Sequence, residues 1–201
     1  MAGRVDITIR ELHSRDEMTA LLDVADQVWG IAPGGLVGPD FLVALAHGEG
    51  YVVGAYDARD AHHNDMIGMS FGFLARHNGR PVLHSHVTGV VPRLQNAGLG
   101  AAIKLHQRDW SARRGLAAIT WTFDPLVRRN AWFNLNRLGA RAVEYHANFY
   151  GPLGDDINGN DDSDRLLAYW DVSPDSADTK QSAASMLVNA ITVATPDDIV
   201  E

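Results

Sequence analysis

Val90-Val91-Pro92-Arg93-Leu94-Gln95-Asn96-Ala97-Gly98-Leu99-Gly100 carries more structural information than any other stretch of this 201-residue chain. It closes a β-rich apolar segment, Pro81–Val91, and leads into a long amphipathic helix. That helix sets Leu99, Ala102, Ile103, His106 and Trp110 on one face and has Gly115 as its C-cap. Between strand and helix, Gln-x-x-Gly-x-Gly makes a turn that leaves backbone N–H groups unpaired where the helix starts. A helix N-terminus carries orphan donors and about half a positive charge, which suits an anion. Glycines without a Cβ let the backbone approach a bulky one. The anion favoured is a phosphate or pyrophosphate.

Charge points the same way. The chain carries a formal −8, yet Arg93, Lys104, Arg108, Arg113, Arg114, Arg128, Arg129, Arg137 and Arg141 are opposed between 93 and 141 only by Asp109 and Asp124. That segment is therefore +7 and the remainder −15. Singly, each arginine reads as solvated helix face. Beside the glycine turn they read as counter-charge for a small polyanion, since a nucleic-acid track usually makes the whole domain basic.

The length fits one domain with an ordinary core, and 46% apolar against 21% charged residues is a globular balance. No apolar run approaches the ~20 residues of a membrane span, and the first residues lack an apolar signal core. A cytoplasmic protein with no membrane partner is expected. The absence of cysteine removes disulfides, thiolate metal sites and an acyl-cysteine intermediate. The nine histidines form no ligand-spaced pair, His62-His63 falling in a polar turn, so no metal is expected.

Along the chain, Val5–Arg10 alternates as a strand. Ser14 and Glu17 read as a capping box before a helix running to Gly30. The Gly/Pro loop Ile31–Gly38 feeds a short helix around Asp40–Ala46. Gly50–Tyr56, Met66–Leu74 and Pro81–Val91 read as an antiparallel meander. Ala117–Phe123 is a strand, and Asp124-Pro125 reads as N-cap and N1 of a helix ending at Leu138-Gly139. Strands near Ala140–Tyr150 and Arg165–Val172 complete a domain over 1–172. Residues 173–201 read as a tail that docks on the domain or on a second subunit, which leaves a homodimer open. The order specifies an α/β (α+β type) fold with a mixed sheet.

Strand, Val-x-Pro, Gln-x-x-Gly-x-Gly, amphipathic helix, strand and a helix ending in Leu-Gly: this order resembles the GNAT superfamily of acyl-CoA-dependent N-acyltransferases. The resemblance covers roughly Val5 to Val172. Thr122-Phe123-Asp124-Pro125-Leu126, Arg129-Asn130-Ala131, Asn134-Leu135, Leu138-Gly139-Ala140, Asn148-Phe149-Tyr150-Gly151 and Ser163-Asp164-Arg165-Leu166 resemble a subgroup of uncharacterised predicted acetyltransferases. Other glycine motifs fit worse. Ile103 stands where a dinucleotide fingerprint needs Gly or Ala, and the Gly-Lys-[Ser/Thr] of a P-loop is absent.

The resemblance implies a mostly antiparallel, splayed central sheet with helices on both faces, and acetyl-CoA or another acyl-CoA, such as succinyl-CoA, as co-substrate. It puts the CoA pyrophosphate on the amides of Gln95, Asn96, Ala97, Gly98, Leu99, Gly100 and Ala101. The pantetheine arm follows along Gly89, Val90 and Val91, opposite Trp121–Phe123. The Val90 N–H then polarises the thioester carbonyl, a type of stabilisation worth about 3–4 kcal/mol per donor in other acyl transfers. Asn130 and Asn134, one turn apart on the last helix, are candidates for the arm as well.

Acyl transfer to an amine needs a proton acceptor. The resemblance implies a Glu on the central strand, but Pro81–Val91 contains none. It holds His84 and His86 instead, two apart, on one face and suited to titration near neutrality. The tyrosine usual before "x-x-Leu-Gly" is replaced by Leu135, which leaves Tyr145 and Tyr150 as candidate acids. The expected activity is N-acyl transfer to a primary amine of a small molecule. The alternative is an acyl-CoA-binding sensor of the same fold without turnover.

Overall fold

The structure is a computed structural model, and it describes residues 7–30, 36–58, 65–95, 97–151 and 163–172. The strands are β1 (Ile7–Glu11), β2 (Tyr51–Asp57), β3 (Met66–His77), β4 (Arg80–Val90), β5 (Ala118–Phe123), β6 (Arg141–His146) and β7 (Arg165–Asp171). The helices are α1 (Arg15–Trp29), α2 (Pro39–His47), α3 (Leu99–Arg113) and α4 (Arg128–Trp132). All seven strands among the described residues join one mixed sheet in the order β1-β2-β3-β4-β5-β7-β6. Every pairing is antiparallel except β4 with β5. Among the described residues no helix is long and apolar enough to cross a membrane.

The expected capping box forms. The Ser14 hydroxyl accepts from the Glu17 amide, Glu17 reaches back to the Ser14 amide, and Gly30 closes α1 in the left-handed region. Burial alone would raise the Glu17 carboxyl. Bonds from the His13 and Ser14 amides and from Arg10 outweigh it and hold the group at about 2. Ser14→Ala is expected to cost about 1 kcal/mol in a denaturant titration. Because the Glu17 proton affinity is depressed on folding, its contribution is complete above the ordinary carboxylate range and lost as pH falls towards 2.

Strand alternation divides the core. Val52, Ile67, Met69 and Phe71 pack with Met18, Leu21, Val24 and Leu42 of α1 and α2. Tyr51, Val53, Leu83, Ile119 and Trp121 pack with Leu105 and Trp110 of α3. Helices therefore cover both faces, and α3 is buried well beyond its apolar stripe, at Ala101, Lys104, Gln107 and Ser111 as well.

One helix departs from expectation. Asp124-Pro125 does not open it: the Asp124 carboxylate accepts from the Leu126 amide to close a turn, and α4 begins only at Arg128. From Phe133 to Arg137 the chain winds as a π-helical turn, with the Leu138 amide bonded to the Phe133 carbonyl. A side chain that caps its own turn competes with helix initiation, which explains the late start.

Candidate functional site

Two features meet at the C-terminal end of β4. The first is the glycine turn. Pro92–Leu94 is a single 3-10 turn, Gly98 caps α3 at φ 82°, and the first helical bond to close runs from the Ala102 amide to the Gly98 carbonyl. Leu99, Gly100 and Ala101 thus precede the first closed turn of α3, with no capping side chain among the described residues. The amides of Gln95 and Ala97 are already spent on Pro92 and Leu94, so the turn supplies fewer donors than the sequence suggested. Asn96 lies outside the described residues. A Cβ added to Gly100 would meet nothing within 4 Å, so the space over this turn is open.

The second feature is a parting of the sheet. β4 and β5 pair only at Val82–Ala118, Leu83–Ile119 and His84–Thr120. Beyond that they separate, while β4 stays paired with β3 up to Val90. The Val91 amide donates to the Ile67 carbonyl, so Val91 and Gly89 direct their amides at β3. By antiparallel alternation, the amides of Val90 and Thr88 face the opening. This corrects the expectation of three consecutive residues. Val90 is presented and Val91 is not, and the space over Gly89 is filled by Trp29 and Val28 of α1. Thr88 is a donor the sequence reading missed, because it emerges only once the register is known.

The two histidines lie on the α1 face. A bulge in β4 offsets Phe71–Val87 from Gly72–Ser85 and leaves His86 as the extra residue. His84 stacks on Phe73 at 5.1 Å between ring centroids, and His86 stands 5.6 Å from Phe71. The His84 Nδ1 is 3.1 Å from the Thr120 hydroxyl. Burial, with smaller contributions from His86 and Lys104, pushes His84 down to about 4. Burial also lowers His86. His84 is therefore neutral across the physiological range and does not titrate near neutrality as its residue type suggests.

Of the two tyrosines, the structure brings one to this face. Tyr150 places its hydroxyl 3.0 Å from Thr122, two residues along β5 from the Thr120 that holds His84. Tyr145 lies on the edge strand β6 and donates to Asp164, with β7 standing between it and β5. Asn130 and Asn134 do not share one environment, since the π-helical turn buries Asn134 and leaves Asn130 exposed. The expected island of positive charge also disperses. Arg93 pairs with Asp65, while Arg108, Arg114 and Arg141 lie over Trp170, Trp110 and Tyr169. An open cleft of about 310 Å³, lined by His77, Arg80, Arg141 and Glu144, sits at the other end of the β3–β4 hairpin, away from this chemistry.

A polar seam not anticipated from the sequence runs between α3 and the sheet. Lys104 is 5% exposed, donates to the Ser85 hydroxyl at 2.9 Å and lies 4.1 Å over the Trp121 ring. The Gln107 amide donates to Ser70 and Ser85, both at 2.9 Å. Burial pushes the Lys104 amine down to about 7. The readable sign was Ser70 interrupting an apolar run in β3, with Ser85 and Thr88 beside the histidines of β4.

No protein-family model and no curated protein matches the sequence. Solved structures do match the fold. The Escherichia coli ribosomal-protein-S18-alanine N-acetyltransferase superposes with a TM-score of 0.65 at 15% identity, over 84% of this chain and 95% of its own. Arabidopsis thaliana NAA60 in complex with acetyl-CoA gives 0.65 at 14% identity, over 83% and 99%. A Desulfovibrio desulfuricans protein assigned to the GNAT family of acetyltransferases gives 0.62 at 15% identity, over 83% and 99%. The mixed sheet and its helices are those of the GNAT acetyltransferase fold.

Proposed function

With the GNAT acetyltransferase fold as premise, we propose that this chain transfers an acyl group from an acyl-CoA to a primary amine. The observation that carries the proposal is the junction of two unfilled features: a glycine-turned helix start and a strand edge with two outward amides. The pyrophosphate is held by Gly98, Leu99, Gly100 and Ala101. An extended pantetheine arm pairs with Val90, and the deeper amide of Thr88 polarises the thioester carbonyl.

The amine enters from the opposite face, beside His84, His86 and Phe73. The acceptor ammonium first loses a proton to solvent and attacks as the neutral amine. The nitrogen then becomes cationic and acidic, and its second proton passes through water to the neutral imidazole of His86 or, deeper along β4, of His84. The C–S bond then breaks, its electron pair leaves on sulfur, and the thiolate takes a proton from the Tyr150 hydroxyl or from water. The overall acidity of the chain favours a cationic small-molecule amine. NatC bound to Gag peptide and CoA has the same fold at 13% identity and a TM-score of 0.65, so peptides belong in the acceptor panel.

Thiol release tests the proposal: acetyl-CoA with amino acids, polyamines and peptides should yield free CoA. A chain without cysteine gives no background in that assay. Leu135, in place of the usual tyrosine, favours the second reading, an acyl-CoA sensor, which predicts binding without thiol release on any acceptor. His84→Gln should leave CoA binding intact and lower turnover by roughly 100-fold. In the wild type the acceptor's own ionisation sets the acid limb and no inflection should appear near 6.5, because His84 stays neutral down to about 4. An acid limb at the ordinary histidine value would remove His84 from this role.

A further inference from the structure

We propose that the closed end of the β4–β5 parting recognises a carboxylate at the far end of the acyl group, so that the preferred donor is the CoA thioester of a dicarboxylic acid. The inference rests on the acyl-CoA reading and specifies its substrate. Ser85 and Trp121 are the first residues of their strands beyond the last pair, His84–Thr120. Lys104 places its amine between them, on the Ser85 hydroxyl and over the Trp121 ring, and so stands at the apex of the V.

The chemistry there lacks an anion. The Ser85 oxygen accepts from both Lys104 and Gln107, so its own hydrogen remains to be given, and among the described residues no acceptor takes it. Nor does any Asp or Glu among the described residues pair with Lys104. A buried ammonium without a counter-ion is costly. The Lys104 amine and the Ser85 hydroxyl stand 2.9 Å apart, a spacing at which both can donate to the two oxygens of one carboxylate in charge-assisted bonds.

Distance selects the length of the acyl group. From Thr88, assigned above to the thioester carbonyl, to Ser85 is about 7 Å along the strand, because the bulge at His86 takes one residue out of the rise. An acetyl methyl falls short of Lys104, and a chain with a terminal carboxylate closes the gap. His84 is the titratable neighbour across the sheet, and Lys104 contributes to its lowered proton affinity. With the amine at about 7, it is partly unprotonated at neutrality, and an arriving carboxylate draws a proton onto it.

Calorimetry on the full chain with free CoA, butyryl-CoA and succinyl-CoA tests this, the two thioesters sharing length and differing in charge. Succinyl-CoA should bind at least tenfold tighter than butyryl-CoA. In buffers of different ionisation enthalpy at pH 7 it should take up a fraction of a proton, and butyryl-CoA none. Lys104→Met should abolish both the preference and the proton uptake while retaining free-CoA binding. Wild-type binding of CoA with no preference for succinyl-CoA overturns the carboxylate assignment alone. Failure of every CoA compound to bind overturns it together with the acyl-CoA reading.

Discussion

Gly100→Val should lose CoA affinity by about 100-fold, roughly 2.8 kcal/mol, with little change in thermal midpoint. Two observations separate binding from folding at this position. Gly100 is the second residue of α3 and is not among the glycines with positive φ, so valine meets no backbone strain. Its Cβ would meet no atom within 4 Å beyond its chain neighbours and its own helix backbone, so the added bulk enters open space at the turn. Gly98 lacks that separation, because its φ of 82° disfavours any side chain, and Gly98→Val would confound strain with occlusion. Calorimetry with CoA beside a melting scan gives both quantities. Unchanged affinity in a folded Gly100→Val variant would show that nothing docks over this helix start.

Lys104→Met should stabilise the protein, and by an amount that depends on pH. An unbranched side chain of similar length replaces an amine that is 5% exposed and pushed from its ordinary value to about 7. The sign follows from linkage. The folded protein holds this proton less tightly than the unfolded chain, so burial costs nothing above about pH 10.5 and progressively more as pH falls. The cost reaches its full size below about 7. At 1.36 kcal/mol per unit, and allowing for the lost bond to Ser85, the gain at pH 6 is on the order of 3–4 kcal/mol. In a chain of this size that raises the melting temperature by roughly 10 °C. Scans at pH 6, 8 and 10 should show the advantage shrinking towards the alkaline end. A variant less stable than wild type at every pH would mean that Lys104 is a net structural asset.

Most of the architecture was legible because local and global preferences agree. Ser14 and Glu17 announced α1, the meander showed in its turns, and the Gln-x-x-Gly-x-Gly turn lies at the strand-to-helix junction where its spacing put it. The failures have physical causes. The helix expected at Asp124 starts at Arg128 because Asp124 spends its carboxylate on Leu126. Asn130 and Asn134 were assigned to one face on α-helical spacing, which the π-helical turn breaks. Which amides face the opening depends on pairing register, so Val91 and Gly89 could not be told from Val90 and Thr88 along the chain. A lysine on an amphipathic helix reads as solvated, and only the sheet laid over α3 shows that Lys104 is not.

The three residue pairs between β4 and β5 have a consequence for solubility as much as for chemistry. Where the strands part, each has an unpaired edge in the middle of a sheet, the kind of surface that invites another protein's strand when it lies at a rim. Here the opening is bounded by its own two strands and backed by α3, whose Lys104 stands at its apex. A full strand from another chain would have to displace these elements, whereas a narrow, flexible amide chain need not. The fold thus keeps a reactive edge inside one molecule and restricts by width what can pair with it.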